Sequence, residues 1–418
     1  MSKPHRPRVL ILVENLPLPF DRRVWMEAQS LQQNGYDVSV ICPKGKGFDK
    51  SYERINDVDI YRFALPVEAR GLAVYAIEYS WALLSFFWLA LNVARKGRID
   101  VIQACNPPDL MFLVAAPFKP FGAKFIFDHH DLMPELLDSK YEKPPRLARA
   151  FLLALERWTF ALADVSIATN ESYKKVAVDR GKMRPERVYV VRSGPRRDWI
   201  KPVASAAPSK IVGYVGVMGD QEGIDLLLLA AAQLVFTMGR SDIRFVLVGD
   251  GGARQDLEGQ AVELGLGDFV TFTGRVSDQE LKDLLSRADI LVNPDRPSEL
   301  NDKSTMNKIV EYMAMAKPTV QFDCTEGRFS AQDASLYAKP GDYVDFALKI
   351  ASLLDDPDQR RRMGEAGRRR FEEELCWERQ EPKLLQAYAQ ALGRETVAEL
   401  APQANSSERV ERVASEAP

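Results

Sequence analysis

Short, wholly apolar runs separated by amphipathic stretches set the rhythm of this chain. Val9 to Val13 is one such run, followed by a Pro-rich loop, a stretch of helical period from about Arg22 to Asn34, a stop at Gly35 and a second run, Val38 to Ile41. That is a strand–helix–strand unit. The same grammar returns at Val212 to Gly216, then a helical stretch from Ile224 to Met238, an apolar run at Phe245 to Asp250, a helix near Arg254 to Leu264 and a strand at Val270 to Gly274. A helix at Asp278 to Arg287, a strand at Ile290 to Asn293, a helix at about Thr305 to Met315 and a strand at Thr319 to Phe322 complete the series. Strands that are apolar throughout and alternate with helices belong to parallel sheets covered on both faces. Two such series predict an α/β protein of two doubly wound, Rossmann-like domains.

The expected join lies between Trp199 and Ser209, where the run KPVASAAPS is rich in Pro, Ala and Ser and has no apolar period. It predicts a first domain over 1–200 and a second over 201–375, facing a central cleft. Beyond Pro357 the chain turns helical and strongly charged from Arg360 to Glu374, then amphipathic to about Leu392. A C-terminal helix over 376–393 is expected to pack back on the first domain, and the polar stretch 394–418 to be a disordered tail.

Leu72 to Val93 breaks the soluble pattern. It is apolar apart from Glu78, Ser80, Ser85 and Asn92, and Arg95, Lys96 and Arg98 follow it. About 20 apolar residues suffice to span a bilayer, but a span here would separate strands that need each other. The segment also reads as a helix buried on the sheet, or as a partly exposed helix whose Trp81, Phe86, Phe87 and Trp88 enter a headgroup region beside basic residues.

Composition narrows the class. The 418 residues are 46% hydrophobic and 28% charged, which fits a globular protein with a large core and excludes a collagen-like or mainly disordered chain. Lys+Arg of 56 against Asp+Glu of 59 gives a net charge of −3, without the basic excess of a nucleic-acid coat. The four cysteines, Cys42, Cys105, Cys324 and Cys376, lie far apart, and only three histidines are present, so reduced thiols are expected and a structural zinc site is not. Only five consecutive apolar residues precede Glu14, too few for a signal-peptide core, so a cytoplasmic protein is expected.

The run Glu311-Tyr-Met-Ala-Met-Ala-Lys-Pro-Thr-Val320 resembles the E-A-M-A-x-G-x-P-V-V signature of family 4 retaining glycosyltransferases, whose fold is GT-B. Leu247-Val-Gly-Asp-Gly251 and Val270-Thr-Phe-Thr-Gly274 resemble two further landmarks of that family in the right order, and the likeness runs from Val9 to about Leu392. Asp128-His-His-Asp-Leu-Met-Pro-Glu135, Asn106-Pro-Pro-Asp109 and Leu300 to Lys308 are similar to the branch acting in O-antigen and exopolysaccharide assembly. The resemblance implies a UDP- or GDP-sugar donor, a saccharide acceptor, retention of configuration, and neither a metal nor another cofactor. A nucleotide-sugar epimerase and a non-catalytic nucleotide-sugar-binding scaffold are the rival readings.

A nucleotide sugar's diphosphate suits the C-terminal edge of the second sheet, where helix N-termini offer unpaired N–H groups. Three loops meet there: Gly216 to Gly223, carrying Gly216, Met218 and Gly219; the turn after Gly249; and Asn293 to Thr305. The family places an Arg after the first glycine and a Lys some residues later, where this chain has Val217 and Glu222; the first glutamate of the family's E-x7-E pattern is replaced by Lys303. Lys303 and Lys308 are therefore expected to supply the missing positive charge, with Ser304, Thr305 and Asn307 beside them and Glu311 accepting from ribose hydroxyls. Arg275 and Val276 fall in the segment that contacts the base. Glu299 or Asp302 is the candidate catalytic carboxylate; the alternative is front-face attack with the leaving phosphate as base.

In the first domain His130 matches the family's histidine beside the donor sugar; successive residues on a strand point oppositely, so His129 and His130 cannot both serve. Asp131, Asn106 and Asp109 are expected in the acceptor site. Asn15 and the pair Arg22-Arg23 open the first loop and helix, where cations oppose the dipole unless an anion or an acidic neighbour such as Asp21 or Glu27 answers them. With the apolar Leu72 to Val93 segment they point to a lipid-linked saccharide acceptor, on a polyprenyl diphosphate, and to peripheral association with the inner face of the plasma membrane.

Overall fold

A computed structural model describes residues 6–65, 72–141, 143–200 and 210–394. The expected join at 201–209 and the tail beyond Arg394 lie outside the described residues. The chain forms two compact units: one of residues up to Pro134, Pro144–Val191 and the chain from Glu381 onward, the other of Glu135–Lys143 and Arg192–Gln380.

In the first unit the elements are β1 (Arg8–Leu12), α1 (Arg22–Gln33), β2 (Asp37–Pro43), β3 (Tyr52–Ile55), β4 (Val58–Phe63), α2 (Leu72–Arg95), β5 (Val101–Cys105), α3 (Phe112–Ala115), β6 (Lys124–His129), α4 (Met133–Lys140), α5 (Arg146–Leu162), β7 (Val165–Ala168), α6 (Glu171–Asp179) and β8 (Val188–Val190). Most of α4 is counted with the second unit. The eight strands run in the order β3-β4-β2-β1-β5-β6-β7-β8, parallel except for β3, which forms an antiparallel hairpin with β4. The strand β5, absent from the sequence reading, sits beside β1 with Val9 opposite Val101. Strand order reverses between β1 and β5, so ligands of this unit are expected at the carboxyl ends of those two strands. Asp21 caps α1 by accepting from Val24 N at 3.1 Å, which gives the Arg22-Arg23 turn its anionic neighbour.

The second unit continues with β9 (Lys210–Val215), α7 (Ile224–Ala232), β10 (Ile243–Val248), α8 (Arg254–Glu263), β11 (Val270–Gly274), α9 (Asp278–Arg287), β12 (Ile290–Asn293), α10 (Glu299–Lys303), α11 (Asn307–Ala314), β13 (Thr319–Phe322), α12 (Thr325–Ala331), β14 (Ser335–Ala338), α13 (Tyr343–Asp355) and α14 (Pro357–Arg370). α15 (Trp377–Ala391) begins in this unit and passes into the first at Glu381. The six strands are parallel in the order β11-β10-β9-β12-β13-β14, with the reversal between β9 and β12. Val212, Tyr214, Leu227, Leu228, Phe245, Leu247, Ile290 and Val292 are buried in one core layer on this sheet.

The expected helix at about Thr305 to Met315 is α11, which starts at Asn307: Ser304, Thr305 and Met306 are non-helical, and Ser304 Oγ donates back to Leu300 O at 2.7 Å at the end of α10. Along α2, Ala82, Phe86, Ala90 and Val93 are buried while Trp81, Leu84 and Trp88 are exposed, so the helix is neither wholly buried nor wrapped in lipid. Phe86 stacks edge-on against Phe63 at 4.9 Å rather than facing outward. Among the described residues no helix is long and apolar enough to cross a membrane.

Candidate active site

The reversal point of the second sheet gathers the loop after β9 and the loop after β12. Gly249 follows β10 with φ +140°, and a Cβ there would lie 1.9 Å from Gly216 O, so only glycine lets the two turns touch. Gly223, at φ +63°, meets Pro294 O in the same way at 2.0 Å. These approaches bring Glu222 to Asp295 and place Lys308, in the first turn of α11, between them. Its Nζ donates to Glu222 Oε2 at 2.6 Å and to Asp295 Oδ1 at 2.9 Å, and lies 5.0 Å from the Tyr214 ring centroid. Tyr214 OH is 3.1 Å from the same Glu222 oxygen. Burial pushes the Lys308 ammonium down, but the carboxylates of Asp295 and Glu222 outweigh it and hold its pKa above the usual value. Burial pushes the Asp295 carboxyl up in spite of Lys308. No side chain caps α11, whose N-cap is Met306.

Beside this cluster, Lys303 Nζ donates to Glu299 Oε1 at 2.6 Å and to the buried Glu135 at 3.2 Å. Asp302 accepts from Thr325 N at 2.7 Å and Thr325 Oγ1 at 2.9 Å. Arg192, buried, reaches Thr305 Oγ1 at 3.2 Å and Glu326 Oε2 at 3.3 Å, with its guanidinium 4.2 Å from the Phe329 ring centroid.

In the first unit β6 delivers two adjacent histidines to opposite sides. His129 is buried against the rings of Phe127, Phe160 and Tyr173, whereas His130 Nε2 lies 2.8 Å from Asp128 Oδ2. Beneath them Arg23 pairs with Asp128 Oδ1 and with Glu27 Oε1, both at 3.1 Å, and donates to Val191 O at 2.8 Å. Gln103 Nε2 donates to Glu27 Oε2 at 2.7 Å and Asp128 Oδ2 at 2.8 Å. Burial pulls the His130 imidazolium down, but Asp128 more than restores it and its pKa is raised. Burial raises Asp128 in turn, and His130 and Arg23 overcome that and hold it below the usual carboxylate range. Cys105, Asp128 and His130 lie within 4.8 Å of one another, a spacing a metal could use. They suit one poorly, because the Arg23 guanidinium already answers Asp128 and burial holds the Cys105 thiol protonated. At the end of β1, Glu14 is buried, and burial together with the Glu78 carboxylate pushes it up to about 7.

The sequence pattern described as Glycosyltransferase Family 4 matches residues 21–195, and that described as Glycosyl transferases group 1 matches residues 209–356. The chain is a family 4 glycosyltransferase. It is 26% identical over 396 residues to the MMP alpha-(1->4)-mannosyltransferase of Mycolicibacterium hassiacum, covering 88% of this chain and 93% of the relative. It is 27% identical over 326 residues to the 2-deoxystreptamine glucosyltransferase of Streptomyces kanamyceticus, covering 72% and 80%. The alpha-D-kanosaminyltransferase of the same organism matches at 35% over 157 residues, 37% of this chain and 39% of the relative. In fold it is similar to sucrose-phosphate synthase from Thermosynechococcus elongatus, with a TM-score of 0.78, 21% identity and coverage of 93% of this chain and all of that one. Anabaena HepE, solved with UDP and glucose, superposes with a TM-score of 0.70 at 16% identity over 92% of this chain and 100% of that one. The fold is GT-B, two Rossmann-like units.

Within this glycosyltransferase Gly216, Gly219 and Gly249 sit together at the reversal point of the second sheet, with Lys308 nearby. Met218 corrects the reading of it as a donor contact: the whole residue is buried, its N donating to Asp250 O at 3.1 Å and its O accepting from Ala253 N at 3.0 Å. Arg275 and Asn307 are exposed, Val276 and Glu311 half-buried. Asp302 is committed to the start of α12 and Glu299 to Lys303, so neither stands as an unengaged catalytic carboxylate. Arg23 is likewise corrected, since its buried guanidinium is paired with Glu27 and Asp128 instead of offering charge to an acceptor. Asn106 and Asp109 are buried: Asn106 Oδ1 accepts from His130 N at 2.6 Å and Asp131 N at 3.1 Å, and its Nδ2 donates to Asp109 Oδ1 at 2.8 Å and Asp131 O at 2.6 Å. They build the turn that carries His130 and Asp131. Asn15 and Arg22 are exposed. Sequence reasoning missed Asp295, Glu135, Arg192, Glu14 and the coupling of Glu222 to Lys308; the unexpected acid at 222 was the one signal that pointed to a partner cation.

Proposed function

We propose that this glycosyltransferase moves a hexose from a UDP- or GDP-sugar to a lipid-linked saccharide acceptor in cell-surface polysaccharide assembly, with retention of configuration. The observation that carries the donor half is the Lys308 ammonium buried between Glu222 and Asp295 at the reversal point of the second sheet. A diphosphate arriving there meets an ammonium already desolvated and aimed, together with the uncapped first amides of α11. Glu222, standing where the family has a lysine, holds the relocated cation in place until the donor competes for it. HepE's complex with UDP and glucose favours a uridine donor.

The acceptor oxygen bonds the anomeric carbon on the face from which diphosphate departs, and the departing phosphate oxygen takes the acceptor's proton. That route suits a site in which the carboxylates of α10 are already engaged, and the chain's contribution is positioning and charge stabilisation. His130, held by Asp128, is the group proposed to contact the sugar near the reacting centre. No metal or other cofactor takes part in this scheme. On the acceptor side, exposed Asn15 and Arg22 are the groups assigned to a phosphate-bearing substrate, and Trp81, Leu84 and Trp88 on α2, followed by Arg95, Lys96 and Arg98, suit the cytoplasmic surface of a membrane.

Calorimetry with a panel of UDP- and GDP-sugars identifies the donor, and transfer to a saccharide on a lipid diphosphate identifies the acceptor class. Lys308→Ala is expected to raise the donor's Kd at least about tenfold. Unchanged affinity would discard the donor assignment.

A further inference from the structure

We infer that the first unit docks on an anionic lipid surface through two helices, α2 and α5, rather than through α2 alone. This extends the surface reading given above for α2 and is independent of the chemistry assigned to either substrate.

The helix α5 is amphipathic in a way a soluble fold does not need. Leu155, Thr159 and Phe160 are buried, and Glu156 is sealed in a two-point pair with Arg180, its oxygens at 2.7 and 2.6 Å from Nε and Nη2. On the other side Leu147, Phe151 and Trp158 follow at intervals of four and seven residues, so all three lie on one stripe. They are between 54% and 87% exposed. The stripe on α2, Trp81, Leu84 and Trp88, repeats the pattern at 50% to 60% exposure. Strand order places the two helices on one side of the first unit's sheet. The connections that carry α2, α3 and α5 all step from β4 toward β7, while the one that carries α1 steps the other way. Right-handed crossovers therefore lay α2, α3 and α5 on one face of the sheet and α1 on the opposite face. α3 packs against both α2 and α5, and its Leu113 is 44% exposed.

Charge selects the occupant. Arg95, Lys96 and Arg98 close one end of α2; Arg146 opens α5 and Arg157 flanks its stripe, and all five are exposed. The acids carried by these three helices are Glu78, half-buried, and Glu156, buried with Arg180. Exposed aromatics rimmed by cations, with acids withdrawn, match an interface of acyl chains beneath anionic headgroups. Trp81 Nε1 donates to Ala64 O, just past β4, at 3.0 Å, so this part of the α2 stripe lies by the carboxyl end of β4.

The test is flotation of the full chain with vesicles of phosphatidylcholine, with or without phosphatidylglycerol. The chain is expected to float with the anionic vesicles and to be released by high salt. Phe151→Ser with Trp158→Ser, and separately Leu84→Ser with Trp88→Ser, should each lower partition at least about tenfold without shifting the melting temperature. Flotation undiminished by the α5 substitutions overturns the two-helix face. A chain that never floats but sediments as a dimer, split by those substitutions, overturns the lipid assignment and makes the face a contact between copies. Sugar transfer to a soluble acceptor, measured without vesicles, reports on the catalytic reading separately, because neither pair of substitutions touches its residues.

Discussion

Asn106 engages both ends of its amide: the oxygen takes the backbone N–H groups of His130 and Asp131, and the nitrogen gives to Asp131 O and Asp109. Its partner Asp109 is buried, and burial, then repulsion from Glu156, pushes its carboxyl from 3.8 up to about 8. A group whose folded pKa lies above its unfolded one contributes stability in full below the unfolded value and loses it as pH rises through the folded value. Stability should therefore fall between about pH 4 and pH 8, and Asp109→Asn, which mimics the protonated acid, should remove that fall, gaining on the order of a few kcal/mol at the upper end and nothing at the lower. Denaturant titrations at the two pH extremes check it. Lys308 obeys the same logic of buried charge. Removing it leaves Glu222 and Asp295 facing each other, which costs on the order of 3 kcal/mol; Lys308→Arg, which keeps a cation between the two acids, should recover most of that stability. Arg23 pairs with Glu27 and Lys303 with Glu299 one turn away, partners legible along one helix, but the buried carboxylates Asp128, Glu135 and Asp295 that also meet Arg23, Lys303 and Lys308 lie on other elements, and the sequence did not show them.

The elements around α10 show how local signals and long-range contacts divide the work. Ser298 caps α10 through Asn301 N at 3.0 Å, a signal read within three residues, whereas Asp302 reaches 23 residues on to cap α12. Asp302→Ala should cost about 1 kcal/mol in thermal unfolding while leaving the transfer rate within a few-fold, since its carboxylate is engaged at the start of α12. A rate loss of several orders of magnitude with stability intact would restore Asp302 as catalytic. The break between α10 and α11 was hidden for a similar reason: Thr305 to Met315 keeps a helical apolar period, and only the return of Ser304 Oγ to Leu300 O, with Thr305 held by Arg192, stops the helix from starting earlier.

At the scale of the molecule the first unit is assembled from three stretches of chain, and α15 supplies the last. Tyr388 OH donates to Gln103 Oε1 across 285 residues, and Gln103 passes the contact on to Glu27 and Asp128 beneath His130. Asn34 Nδ2 donates to Glu381 Oε1 at 3.0 Å, and the Tyr36 and Tyr388 rings meet edge-on at 5.5 Å. Tyr388→Phe should cost about 1–3 kcal/mol, because it leaves the buried Gln103 carbonyl without its donor; calorimetric melting reads the loss, and an unchanged melting temperature would show the contact idle. The alternation of apolar runs and helical periods determined two doubly wound units, and the glycines at 216, 223 and 249 determined where backbone crowds the edge of the second sheet. Those features are local, written within one element or one turn. Tertiary structure alone decided that Lys308 sits between two acids, that Arg23 and Asn106 are taken up by contacts around His130, and that α2 and α5 present their stripes to the same side. Each depends on strand order, which brings together residues distant in sequence, and neither periodicity nor propensity encodes which of several similar acids a given cation will meet.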